Sequence, residues 1–130
     1  MKVILMAMAA TFSIGAGAAQ AADPIYGLWK TEPSDGIYYH VDMGACGAKI
    51  CGVFTKKFKD NKEVTSPAIG KNAIFDMVNR GGNAYVGSAW RPSNDKVYAG
   101  KGTLRGDSLT MKGCVFGGLI CLGADWERIN

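Results

Sequence analysis

The sequence holds one histidine, His40, and no pair of cysteines spaced C-x-x-C. A thiol-redox centre relies on such a close pair to depress one thiol's pKa, so the chain gives no support to one. Structural zinc sites draw their ligands from tight thiolate pairs and histidines. Here the spacings are C-x4-C and C-x6-C with a lone histidine to help, and no metal is expected. Nucleophilic catalysis requires a serine or cysteine beside a base that a third group orients. No serine is singled out, and His40 alternates with Tyr38 and Asp42 on the outer face of a strand. The carboxylates are scattered among turns, not paired as a glycosidase would need. No catalytic residue and no cofactor is therefore expected. The run Gly100-Lys101-Gly102-Thr103-Leu104-Arg105-Gly106 looks superficially like a phosphate loop, but it lacks the following helix and reads as a hairpin.

Charge is also modest, with 15 basic against 11 acidic residues, net +4. Nucleic-acid binders gather a stronger basic excess onto one stripe, and none is expected here. The densest basic run, Lys56-Lys57-Phe58-Lys59-Asp60-Asn61-Lys62, is interrupted by turn residues and followed by Glu63. It reads as a solvated hairpin tip; the competing reading is a contact with anionic lipid or an acidic partner.

Long apolar stretches are missing except at the start. Residues 1–21 place Lys2 before an apolar run, Val3 to Ile14, and close on Ala19-Gln20-Ala21. That is the layout of a secretory signal peptide with a small-residue cleavage site. An uncleaved anchor is the alternative, but the cleavage site and the turn-forming Asp23-Pro24 behind it favour removal. No cysteine precedes Cys46 to carry a lipid. Residues 22–130 are thus expected to be one periplasmic or secreted domain with a single modest core and no transmembrane segment.

All four cysteines, Cys46, Cys51, Cys114 and Cys121, lie in that exported part. An even count in an oxidising compartment points to disulfides. A two-residue turn at Gly117-Gly118 would pair Phe116 with Leu119 and Val115 with Ile120, and so set Cys114 opposite Cys121. Directly opposed strand residues lie about 4.5–5.5 Å apart at Cα, within disulfide range. The favoured pairing is therefore Cys46–Cys51 with Cys114–Cys121.

Strand-like runs follow one another along the chain: Ile25–Thr31, Ile37–Asp42, Ile50–Phe58, then Ala84–Trp90, Lys96–Lys101, Gly102–Arg105, Ser108–Val115 and Ile120–Ile129. Turn residues separate most of them, as at Glu32–Gly36 and Pro92–Asp95. Residues 67–79 are ambiguous, since Ile74, Met77 and Val78 sit at helical spacing where only one helical turn would fit; a short strand or irregular segment is expected. About eight short strands joined by tight turns, without a long helix, predict an all-β fold. The fold expected is a small antiparallel up-and-down β-barrel. Gly87, Gly100 and Gly113 within strands mark sharp coiling or bulges.

Gly27-x-Trp29 on the first strand resembles the G-x-W signature of lipocalin-like barrels, in which a basic residue of the last strand lies over the Trp ring. Arg128 stands where that partner is needed. More broadly, Asp23-Pro24-Ile25-Tyr26-Gly27-Leu28-Trp29, Cys46 with Cys51-Gly52, Gly87, Pro92 through Lys96-x-Tyr98-x-Gly100, Leu109-x-Met111-Lys112-Gly113-Cys114, Gly118-x-Ile120-Cys121 and Trp126-x-Arg128 are similar to one exported bacterial family, known as domain of unknown function 2147. Residues 67–79 depart from its pattern. The resemblance implies a lipocalin-like barrel of the cell envelope, closed by Gly27, Trp29 and Arg128, and it suggests small apolar ligands. It brings no established activity.

Tyr39, Phe54, Tyr85, Trp90, Tyr98 and Met111 are the candidates to line a ligand cavity. The same side chains would equally well fill a barrel this small. The expected function is binding of a small, largely apolar molecule; the alternative is an envelope structural or interaction module with a filled barrel. No protein partner is specified by the sequence.

Overall fold

The computed structural model describes residues 22–130; the export signal expected at 1–21 lies outside the described residues. Nine strands follow in chain order: β1 Gly27–Lys30, β2 Ile37–Cys46, β3 Lys49–Lys59, β4 Lys62–Val64, β5 Asn72–Gly81, β6 Ala84–Arg91, β7 Lys96–Arg105, β8 Ser108–Val115 and β9 Ile120–Arg128. Eight of them, all but β4, form a closed antiparallel ring in which β9 returns to β1. β4 stands outside the ring and pairs only with the far end of β3. The expected up-and-down barrel is thus the fold.

Alternation explains the wall. Val41 and Met43 of β2 and Leu109 and Met111 of β8 point inward and are buried, whereas Asp42, between the first pair, and Lys112, next after the second, are exposed. The interior is packed by Val41, Met43, Ile74, Met77, Leu109 and Met111, each at most 6% exposed. Unbranched methionines suit this position because they fill irregular gaps between curved strands.

Of the ambiguous residues 67–79, those from Asn72 onward belong to a ten-residue strand, β5, longer than the short strand expected, while 67–71 form the turn that leads into it. Its helical spacing has a physical cause. Asp76 adopts φ +52° and the β5–β6 register shifts between Phe75 and Val78, a bulge that inserts an extra residue. Ile74 and Met77 therefore both reach the core although they are three apart. The bulge presses β5 against β6: a Cβ on Gly87 would stand 2.6 Å from the Met77 Cα, so only glycine fits there. Two runs read separately, Lys96–Lys101 and Gly102–Arg105, are one strand, β7.

Candidate functional site

Strand direction assigns every residue to one end of the barrel or the other. β1 begins, and β9 finishes, at the end where Trp29 pairs with Arg128. Trp29 is fully buried and donates from Nε1 to the Ile25 carbonyl at 2.9 Å. The Arg128 guanidinium lies 4.4 Å from the Trp29 ring centroid. Its nitrogens donate to the carbonyls of Tyr26 at 2.8 Å and Pro24 at 2.7 Å, and Nε to Asp107 at 2.9 Å. One side chain thus ties the entry segment, the β7–β8 turn and the last strand together. Gly27 is required beneath it, because its φ is +134° and a Cβ would stand 2.6 Å from the Asn130 carbonyl oxygen. This is the physical content of the G-x-W pattern in this chain.

The same end holds a polar latch. Tyr85, at the start of β6, is 1% exposed, and its hydroxyl donates to Asp23 at 2.6 Å. Asn79 donates to the other Asp23 oxygen at 2.9 Å, and the Ile25 N–H to the first, also at 2.9 Å. Burial raises the Asp23 carboxyl pKa, but these three donors outweigh it and hold the group below its ordinary value. Burial and the adjacent carboxylate push the Tyr85 hydroxyl up, so it remains a proton donor at neutral pH. Asp23 read as a turn residue opening the family-like run to Trp29, and Asn79 fell in the ambiguous segment; neither carried a signal of this role.

At the opposite end the aromatic side chains gather. Tyr39 near the start of β2 packs on Phe54 with centroids 4.6 Å apart, and Phe54 meets Trp90 edge-on at 6.1 Å. Phe54 is buried while Tyr39 and Trp90 are half-buried. Lys57 stands 5.8 Å from the Tyr39 ring and Lys71 5.7 Å from that of Trp90. Trp90 donates to Asp95 at 2.8 Å, which fixes its ring at the rim. The β4–β5 connection is hydrogen-bonded to Phe54 on both sides, from Gly70 at 2.8 Å and to the Lys71 carbonyl at 3.0 Å, with Ala68 buried beneath.

The six cavity candidates therefore separate. Tyr39, Phe54 and Trp90 form one cluster. Tyr98 lies on β7 at the same end, its Cβ 3.3 Å from where a Gly113 Cβ would stand and its hydroxyl accepting from Asn94 at 2.7 Å. Tyr85 belongs to the latch at the other end, and Met111 is part of the packed middle. Two depressions of about 220 and 410 Å³ lie elsewhere, one on the outside of β2, β3 and β5 and one beside Asp23, Lys49 and Asn79; none of the six candidates lines either. His40 is on the outer wall between its cross-strand neighbours Lys30 and Lys56, against Phe58 at 4.7 Å.

Both disulfides form as paired in the sequence reading, Cys46–Cys51 and Cys114–Cys121. Cys114 is directly opposite Cys121, and Val115 opposite Ile120, as that reading required. The turn itself is a correction. Phe116 to Leu119 form a four-residue connection containing a 3-10 turn, in which Phe116, Gly117 and Gly118 all have positive φ, so Phe116 and Leu119 are not a strand pair.

A family model described as "Uncharacterized protein conserved in bacteria (DUF2147)" matches residues 27–128. The chain belongs to this family. The family match runs from Gly27 to Arg128, the two residues that meet at the closed end. A solved structure described as "Protein HP1028 from the human pathogen Helicobacter pylori belongs to the lipocalin family" superposes with a TM-score of 0.66 at 14% identity, covering 82% of this chain and 83% of that one. At that identity the likeness is one of fold: this DUF2147 member is a lipocalin-like barrel. No curated protein matches the chain.

Proposed function

We propose that this protein is an exported, periplasmic carrier of a small, largely apolar molecule, taken up at the open end by Tyr39, Phe54, Trp90 and Tyr98. The observation that carries this reading is the contrast between the two ends. One is sealed by Trp29, Arg128 and the Asp23–Tyr85 latch, whereas the other presents half-buried rings around a buried Phe54. Removing the exposed parts of these rings from water against a ligand would supply the driving force, at roughly 25 cal/mol per Å² of apolar surface. Because the middle of the barrel is packed, the ligand is small or flat and lies near the rim, between Tyr39 and Trp90. Lys57 and Lys71 would orient any polar group it carries. The two disulfides and the lipocalin-like fold are compatible with an exported binding protein. Native mass spectrometry of protein purified from cell envelopes tests the proposal: a retained small molecule, lost from a Trp90→Ala variant, is expected. Protein that is consistently empty would count against it.

The packed interior favours a second reading, an envelope interaction module whose barrel is only a scaffold. In-cell crosslinking separates the two. A specific protein partner lost on charge reversal of Lys56, Lys57 and Lys59 supports the second.

A further inference from the structure

The hairpin of β8 and β9 ends in a surface that the barrel does not use. Phe116 is 74% exposed, Leu119 86%, Ile120 54% and Leu122 73%. Ile120 and Leu122 point to the inner side by register, as partners of Val115 and Gly113 on the face that carries Met111 lower down. They are exposed because β1 has only four residues and pairs with β9 only at Arg128 and Glu127, so the upper half of β9 runs past its neighbour. Phe116 is held with φ +53°, a conformation that bulky side chains rarely adopt. The Cys114–Cys121 bridge at the base fixes the tip.

The charges nearest the turn are basic, and the flanking carboxylates are engaged elsewhere: Asp95 accepts from Trp90, Asp125 from Thr110, and Glu32 from the Asp125 N–H. From Lys96 to Leu104 and from Ser108 to Ala124 the charged residues are Lys96, Lys101 and Lys112. Lys101 and Lys112 are direct cross-strand partners, an arrangement that like charges disfavour. Neither belongs to the ion pairs formed among the described residues, Lys56–Glu63 and Arg128–Asp107. The Lys101 ammonium reaches toward the tip, 3.5 Å from where a Cβ on Gly118 would stand. An exposed apolar cluster above lysines that form no ion pair among the described residues, with the nearest β9 carboxylate, Asp125, held by Thr110, matches an anionic bilayer surface better than a protein groove. Acyl chains accept the apolar residues, and phosphates accept the ammonium groups.

We propose that the β8–β9 tip is a membrane-surface anchor: Phe116, Leu119, Ile120 and Leu122 enter the acyl boundary of an anionic leaflet while Lys101 and Lys112 meet its headgroups. Insertion is shallow. The Cys121 and Gly123 peptide groups on the unpaired edge of β9 remain at headgroup level, where water can hydrogen-bond them. The anchor leaves the Tyr39–Phe54–Trp90 cluster at the same end of the barrel, facing the membrane. It is independent of whether that cluster binds a ligand.

Flotation of residues 22–130 with vesicles of phosphatidylglycerol and phosphatidylethanolamine, against vesicles of phosphatidylcholine, tests the anchor. Binding to the anionic vesicles that weakens at high salt is expected. It should fall by at least about tenfold in Leu119→Asp/Leu122→Asp and about fivefold for each of Lys101→Gln and Lys112→Gln. All four sites are exposed, and unchanged circular dichroism would confirm that the variants fold. In Phe116→Trp, a blue shift of the added indole emission should accompany binding. Equal binding to phosphatidylcholine, binding indifferent to the tip variants, or no binding would overturn the proposal. So would a concentration-dependent dimer, abolished by Leu119→Asp/Leu122→Asp, in protein that does not float.

Discussion

The Arg128 guanidinium lies over the Trp29 ring at 4.4 Å, joining the end of the last strand to the first. A stacked guanidinium contributes about 0.5–2 kcal/mol, and its charged hydrogen bonds to Pro24 and Tyr26 about 1.5–3 kcal/mol each at most. Arg128→Ala should therefore destabilise the barrel by at least about 3 kcal/mol in urea unfolding. Trp29→Leu should cost a similar amount, and the double variant should fall short of the sum by at least about 0.5 kcal/mol. Full additivity would show that the ring and the guanidinium act separately.

Gly27→Ala attacks the same closure from the backbone. The added methyl meets the Asn130 carbonyl and the Arg128 side chain in a conformation unsuited to alanine. A loss of roughly 2 kcal/mol or more is expected. Gly47→Ala is the control for positive φ in open space and should lose less. Equal losses would mean that crowding under Arg128 is unimportant.

Acid should destabilise the fold in two separate windows. Burial first, then Lys56 and Lys30, hold the His40 pKa below its ordinary 6.5. The unfolded chain then binds a proton at higher pH than the folded one, so this contribution is complete above 6.5 and declines as pH falls toward the folded value. Asp23, lowered from 3.8, contributes above that value and loses its contribution as pH falls through its folded pKa. Thermal melts from pH 8 to 3 on the parent, His40→Gln and Asp23→Asn measure this. His40→Gln should flatten the upper window alone.

Reduction of both disulfides should leave most of the strand structure. Each closes a short loop, worth about 2 kcal/mol in the chain-entropy account, whereas the core is continuous from Trp29 to Met111. Hydrogen exchange should speed up in the β8–β9 hairpin first. Global unfolding under mild reductant would contradict this ranking.

The barrel was legible because alternation, turn residues and the Gly27–Trp29–Arg128 closure agree with one another. β5 was obscured by its bulge: Asp76 at positive φ places Ile74 and Met77 on one side and imitates a helix. β4 was hidden because its three residues are all exposed and so lack any hydrophobic alternation. At the candidate site, composition could supply aromatic residues but not their partition. That Tyr85 locks one end to Asp23 while Tyr39 and Trp90 flank Phe54 at the other depends on strand direction and on contacts 62 residues apart. Leu122 gave no sign of its exposure, because its alternation reads as core; the shortness of β1 leaves it uncovered.

The direct test of the account is a titration of residues 22–130 with a fluorescent apolar probe, repeated on Trp90→Ala, Tyr39→Ala and Leu119→Asp. Saturable binding at one site is predicted, weakened at least about tenfold by each aromatic truncation and unchanged by Leu119→Asp. Absence of saturable binding, or binding that follows Leu119 and ignores Trp90 and Tyr39, would contradict a ligand site at the open end of the barrel.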